Sequence, residues 1–446
     1  MHILIIGNGI SGVTAARQIR KLSDHEITII SGEADHFFSR TALMYVFMGH
    51  MRFEDTKPYE DDFWAKNRIN LVNNYVDEVI PGQKQVRFQD GTTLEYDKLI
   101  LAVGSKSNKF GWPGQDLDGV HGLYHKQDLE AMERHSEGLK KAVIVGGGLI
   151  GIEMAEMFHS RHIPVTFLVR EDSFWNMVLP PEESQMVTRE ILENGIDLRL
   201  STELKEIWGE RSGKVKMALA SDGDKIECGF VGLTAGVSPN IDFLRFSDID
   251  IDRGILVNQK LQTNQPDIYA IGDCAQLRSP QKDRRPIEAI WYTGRMMGET
   301  VAYNICGHEI NYDPGIWFNS AKFFDIEYQV YGDVPAMLPE NYNTLYWEHP
   351  GGKKSIRLNY HKEDGHILGF NLMGVRFRHE VCEKWLAEKT PIETVLQDLK
   401  LANFDPEFYR QYEDDVLALY NNMTGSTLHS RQKRKLASVL NFLGRA

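Results

Sequence analysis

His2-Ile3-Leu4-Ile5-Ile6-Gly7-Asn8-Gly9-Ile10-Ser11-Gly12 is a short apolar run that breaks into three spaced glycines. A helical stretch, Val13 to Leu22, follows, and then a second apolar run, Ile27-Thr28-Ile29-Ile30. Strand, glycine turn, helix, strand is the order of a βαβ unit. The glycines have separate physical tasks. Gly7 permits the tight turn, Gly9 lets the backbone approach a pyrophosphate, and Gly12 lets the helix pack closely on the strand. Amide groups at the helix N-terminus then face the phosphate charge.

The pattern returns about 140 residues later. Lys141-Ala142-Val143-Ile144-Val145 leads into Gly146-Gly147-Gly148-Leu149-Ile150-Gly151, with a helix from Ile152 to Arg161 and a strand from Val165 to Val169. One nucleotide does not need two complete fingerprints, so Gly146, Gly148 and Gly151 predict a second dinucleotide. An acidic ribose partner belongs at the end of each second strand. In the first unit the nearest acid is Glu33, after Ser31 and Gly32, and in the second Val169 is followed by Arg170 and Glu171. A carboxylate there accepts from a ribose 2′-OH and an arginine accommodates a 2′-phosphate, so both nicotinamides, NADH and NADPH, stay open.

Around these motifs the chain is an ordinary globular one. Its 446 residues exceed a single core, and 42% hydrophobic with 25% charged residues excludes disorder or a collagen-like repeat. No apolar run approaches the roughly 18 residues of a membrane span. The formal net charge of −13, with no basic stripe in the body of the chain, argues against nucleic acid as a partner. Cys228, Cys274, Cys306 and Cys382 have neither zinc-ribbon nor redox-pair spacing, so no metal site is expected. Scattered cysteines, with no basic leader ahead of His2, predict a cytoplasmic protein.

Together with three further motifs, the two fingerprints resemble the two-dinucleotide-binding flavoproteins, the glutathione-reductase-like superfamily of FAD-dependent pyridine-nucleotide oxidoreductases. The resemblance covers roughly residues 1 to 335. Thr263-Asn264-Gln265-Pro266-Asp267-Ile268-Tyr269-Ala270-Ile271-Gly272-Asp273-Cys274-Ala275 is similar to the second FAD signature of that superfamily, its most specific motif. The resemblance implies that Asp273, after Gly272, holds a ribityl hydroxyl of FAD. Leu99 to Ser105, with Gly104, resembles the crossing into the NAD(P) domain, and Gly236-Val237-Ser238-Pro239-Asn240 the crossing back. Glu153 matches a glutamate placed beside the nicotinamide.

Ser39-Arg40-Thr41-Ala42-Leu43-Met44-Tyr45 narrows the resemblance to ferredoxin- or rubredoxin-reductase-like and nitrite-reductase-like members. There an arginine near the FAD, matched by Arg40, precedes a flavin-side residue. Met44 and Tyr45 take that second place, and disulfide reductases would carry their cysteine pair here. No cysteine precedes residue 228, so thiol chemistry at the flavin is not expected. The segment Glu288 to Arg295 is expected along the isoalloxazine, with Trp291 as a further flavin-side residue.

The expected fold is α/β. A split FAD-binding domain (1–113 and 256–315) carries an inserted NAD(P)-binding domain (114–255), both Rossmann-like. A C-terminal α+β domain (316–420) and a basic amphipathic tail (421–446) follow. The implied activity is hydride transfer from NAD(P)H to FAD, then electron delivery to an acceptor, an electron-carrier protein or a small molecule, and the third domain implies a homodimer. The tail, basic and without an acid after Asn422, is open to two readings, membrane-surface contact on the inner membrane face or packing on the acidic body of the chain or on a partner. That feature keeps a peripheral quinone reductase as an alternative. A non-catalytic FAD/NAD redox sensor is the other.

Overall fold

The computed structural model describes residues 1–282, 284–408 and 410–431. Most of the basic tail, 432–446, therefore lies outside the described residues. The chain forms two compact units, Met1–Arg170 with Ile196–Pro314, and Glu171–Gly195 with the chain from Gly315 onward.

In the first unit, β1 (His2–Ile6), α1 (Ile10–Leu22) and β2 (Glu26–Ile30) build the opening βαβ motif. Strands β3 (Ile69–Val72) and β4 (Lys98–Leu101) follow, with the short helix α2 (Leu43–Phe47) between β2 and β3. The chain then crosses through β5 (Val120–His121) and α3 (Lys126–Ser136) into a second motif. This is β6 (Ala142–Val145), α4 (Leu149–Ser160) and β7 (Val165–Leu168). Strands β8 (Asp197–Arg199), β9 (Phe230–Leu233) and β10 (Ile268–Ala270) complete two sheets.

The orders are β10-β4-β1-β2-β3 and β8-β7-β6-β9-β5, and every pairing is parallel. Parallel strands are covered on both faces, which explains why they read as unbroken apolar runs rather than alternating ones. Ile3, Leu4, Ile5, Leu99, Ile100 and Leu101 are fully buried in one continuous core. Both sheets carry the same unpredicted addition, a three-stranded antiparallel flap. One is Val76–Ile80, Gln85–Phe88 and Thr93–Glu95, just ahead of β4. The other is Leu204–Gly209, Val215–Ala220 and Lys225–Glu227, just ahead of β9.

Two Rossmann-like sheets with intervening helices bear out the expected fold class. Helix α6 (Trp291–Ile305) returns against α1, and its small residues set the distance. A Cβ on Gly298 would come within 2.5 Å of the Ser11 carbonyl oxygen, and one on Gly294 within 2.6 Å of Ser11 Oγ.

The second unit takes one helix from the middle of the chain, α5 (Pro181–Glu193). Its sheet is antiparallel, with strands Phe318–Phe323, Ile326–Gly332, Tyr342–Glu348, Ser355–His361 and Ile367–Met373, and helices His379–Ala387, Ile392–Asp398 and Glu413–Thr424 pack with it. Arg357, 4% exposed, grips the fully buried Glu183 of α5 with Nε–Oε1 and Nη2–Oε2 hydrogen bonds of 2.7 and 2.8 Å. Its Nη2 also donates to Glu182 at 2.6 Å. Among the described residues no helix is long and apolar enough to cross a membrane.

Candidate functional site

The glycines of the two fingerprints occupy equivalent positions. Gly7 has φ 114° and Gly146 φ 116°, a region L side chains rarely adopt. A Cβ on Gly7 would meet the Ala102 carbonyl oxygen at 2.1 Å, and one on Gly146 would meet Thr234 and Ala235 backbone at 2.8 Å. Gly12 and Gly151 are pressed in the same way against the carbonyl oxygens of Gly7 and Gly146, at 2.1 and 2.2 Å. The middle glycines differ: a Cβ on Gly9 or Gly148 would meet nothing within 4 Å. Chain packing therefore demands the outer glycines, whereas the middle ones face open space at the N-termini of α1 and α4. Neither N-cap makes a side-chain hydrogen bond, so first-turn amides stay available for a phosphate.

In front of the first cradle lies a cavity of about 660 Å³, within the range of cofactor sites. Of the residues expected at FAD, Gly7, Gly9, Glu33, Arg40, Gly104 and Asp273 line it. Gly12 and Gly272 stand behind the wall, and a Cβ on Gly272 would lie 2.3 Å from Ser11 Oγ. Glu153 also lines the cavity, as do Leu149 and Ile150, so the start of α4 forms part of the first cradle's chamber. Trp291, 37% exposed, closes part of the rim, next to Ala289 and Ile290.

Charge in this chamber is tightly organised. Arg40 holds Glu33 with two hydrogen bonds of 2.8 and 2.7 Å, and Glu33 Oε1 also accepts the Lys126 N–H at 2.9 Å. Burial alone would raise the Glu33 carboxyl, but hydrogen bonds from Arg40 and His125 and the Arg40 charge outweigh it and hold the group at about 2. Asp273 Oδ2 accepts from the Tyr124 hydroxyl at 2.8 Å. Burial nevertheless moves Asp273 above its ordinary value. The Tyr124 hydroxyl also accepts the Ser105 N–H at 3.0 Å, and its ring lies 4.7 Å from the Arg40 guanidinium. Glu153 is pushed up to about 7, first by burial and then by the neighbouring Glu156 charge.

Some expected residues fall elsewhere. Tyr45 is not among the residues that line this cavity. On α2 it follows Met44, which does line the cavity, so the helical rotation turns Tyr45 away to stack beside His50 at 6.0 Å. Arg170 is exposed beyond β7, and Gly236 accepts the Asn108 N–H at 3.1 Å, both away from this cavity. Gly146, Gly148 and Gly151 form the second cradle rather than the cavity wall. Cys274 is packed in the core, and none of the four cysteines lines the cavity.

Sequence reasoning missed Tyr124 altogether. The available signal was Asp128 three residues beyond His125, whose carboxylate accepts the N–H groups of both Tyr124 and His125, at 2.8 and 2.9 Å. That cap fixes the start of α3 and with it the Tyr124 ring.

Two phosphate cradles, one opening on a chamber lined by Asp273 and by the other cradle's helix, define a protein of the two-dinucleotide-binding class. The residues present fit FAD in the first cradle, because the open face at Gly9 and the acceptor at Asp273 share one cavity. Residues 1–298 match the pyridine nucleotide-disulphide oxidoreductase family, and the chain belongs to it. FAD and NAD(P)H are the cofactors of this family.

The chain is 29% identical over 278 residues to an assimilatory nitrate reductase electron transfer subunit of Bacillus subtilis, covering 62% of this chain. It spans only 36% of that relative's length. A Methanocaldococcus jannaschii NADH oxidase is 29% identical, with 84% of this chain and 88% of the relative covered. A ferredoxin reductase from Rhodopseudomonas palustris has the same fold at TM-score 0.76 and 22% identity, covering 84% of this chain and 91% of that one.

Proposed function

We propose that the chain takes reducing equivalents from NAD(P)H through FAD to a small electron-carrier protein. The observation that carries this reading is the shared chamber: Leu149, Ile150 and Glu153, which follow the second cradle, line the same cavity as Gly7, Gly9 and Asp273. Two cradles that served unrelated ligands would have no reason to converge. When bound, FAD supplies hydride acceptance from the nicotinamide and electron release to the acceptor. The protein binds, orients and shields.

Asp273, oriented by Tyr124, offers an acceptor to a hydroxyl of the cofactor chain. Glu33 and Arg40 give the chamber an anion and a cation locked together, so neither side chain swings when the site fills. Glu153 holds or releases a proton at its carboxyl near neutrality, and Trp291 screens one edge from water. Because no cysteine lines the cavity, the acceptor half-reaction runs without a protein thiol. Relatives named as rubredoxin-NAD(+) reductase and as a ferredoxin–NAD(+) reductase component support a carrier protein as acceptor. We place the enzyme in the cytoplasm as a homodimer, with the basic tail as its contact to the inner membrane face.

The test is anaerobic stopped-flow reduction of the purified protein by NADH and by NADPH, followed by reoxidation with a rubredoxin or a ferredoxin. The expected result is a yellow protein bleached by at least one nicotinamide and recoloured within the mixing experiment by a carrier. A protein that stays colourless after incubation with FAD refutes the reading. Rapid reoxidation by quinone-loaded vesicles but by no carrier would move the acceptor to the membrane.

A further inference from the structure

We propose that Asp118, His121 and His135 form a binding site for a first-row divalent transition cation, with Nε2 of His121 among its ligands. The three residues come from separate elements of the first unit. Asp118 sits in the loop before β5, its backbone tied by hydrogen bonds to Gly213 O (3.1 Å) and from Val215 N (2.8 Å). His121 ends β5, paired in register with Gly232 of β9, its ring stacked 5.9 Å from that of Phe230. His135 lies in the last turn of α3. One ligand atom from each residue lies within 4.8 Å of the other two, and His135 Nε2 is 3.1 Å from Asp118 Oδ1. Ligand atoms on a tetrahedral zinc ion with bonds of about 2.0–2.1 Å stand about 3.3 Å apart, so small rotations close the set.

A second observation points to a ligand. Nε2 of His121 is buried and makes no hydrogen bond among the described residues. A buried ring nitrogen without a partner is destabilising, and a cation supplies one. The other cluster of this composition, His361, Asp364 and His366, lacks that signature. There both Nδ1 atoms reach Asp364 Oδ1, at 3.1 and 2.6 Å, so each imidazole already has a partner. Two imidazoles with a carboxylate select zinc, iron or nickel over magnesium or calcium. The Asp118 side chain is half exposed, which leaves a coordination position open to solvent.

The place of the site gives it a role. Between His121 and His135 the chain supplies Tyr124, the hydrogen-bond donor to Asp273, and Asp128, which caps α3. A cation joining the two ends braces this back wall of the flavin chamber.

The test uses the full chain carrying its flavin, stripped with a chelator, in a His361→Asn/His366→Asn background that silences the hairpin cluster. Zn²⁺ is titrated in competition with a chromogenic chelator. One equivalent is expected to bind, and His135→Asn or Asp118→Asn is expected to weaken it about 10- to 100-fold. Zn²⁺ should also raise the melting temperature of the background protein more than that of Asp118→Asn at the same concentration. Asp118 is on the surface, so its variant keeps the test valid should a histidine variant fail to fold. Zinc affinity unaltered by both substitutions, or no stoichiometric binding, overturns the proposal.

Discussion

Glu33 and Glu153 line one cavity and are both driven upward by burial, yet they end at about 2 and about 7. The difference is Arg40, which pairs with Glu33, whereas Glu153 has only the like charge of Glu156 for company. For Glu153 the folded form keeps a proton that the unfolded chain releases above its ordinary value of 4.5. Stability from this group is therefore present below pH 4.5 and drains away as pH rises through 7, by at most about 3 kcal/mol. Glu153→Gln should flatten that decline, read from urea midpoints at pH 5 and pH 8; an unchanged slope would mean the carboxyl is not shielded as described. Glu33 runs the opposite way, its contribution present above 4.5 and lost as pH falls toward 2. Both residues were legible as site candidates. Their electrostatic states were not, because the pairing of Glu33 with Arg40 is made by a loop whose course no periodicity encodes. Tyr124 was invisible for a related reason: nothing about an isolated tyrosine says that it faces an aspartate 149 residues away.

At the scale of elements, the glycine turns were the most readable feature, since their spacing reports backbone geometry directly. The structure separates packing glycines from ligand-facing ones, and this gives a paired prediction. Gly151→Ala places a Cβ 2.2 Å from the Gly146 carbonyl oxygen and should lower the melting temperature by several degrees, equivalent to about 1–3 kcal/mol. Gly148→Ala meets no protein atom, so folding should be intact while the Michaelis constant for the nicotinamide rises at least severalfold. Equal thermal losses in the two variants would contradict the division of labour. Helices expected at Val13–Leu22 and Ile152–Arg161 begin about one turn earlier, at Ile10 and Leu149. The glycine-rich starts mask the first turn, because a glycine carries no helical signal of its own. The antiparallel flaps were missed because several of their strands, such as Thr93–Glu95 and Lys225–Glu227, are too short for their alternation to stand out.

For the whole molecule, two nucleotide-binding sheets and a later mixed unit could be read from motif order. What the sequence did not announce is that residues 171–195 group with the C-terminal chain. Long-range side-chain pairings reveal it, among them Arg357 with Glu183 across 174 positions, Lys353 with Glu190 and Arg189 with Glu348. Arg357→Ala should destabilise the second unit by about 3–5 kcal/mol, because it strands a buried carboxylate. The double variant Arg357→Met/Glu183→Leu should recover most of that loss, as chemical denaturation of the two proteins would report. No recovery would mean that shape rather than charge governs the spot.

This borrowed helix also restricts how the gene can be divided. A stop codon after Pro314 would spare every residue of both glycine turns, yet the product would keep Glu183 while losing the Arg357 guanidinium that holds it and the strands of the antiparallel sheet. Such a fragment would carry residues 171–195 without the strands they group with, while keeping every residue that lines the cavity. Shortened versions intended for crystallisation or fusion should therefore retain the C-terminal sheet, or replace residues 171–195 with a helix designed to face water.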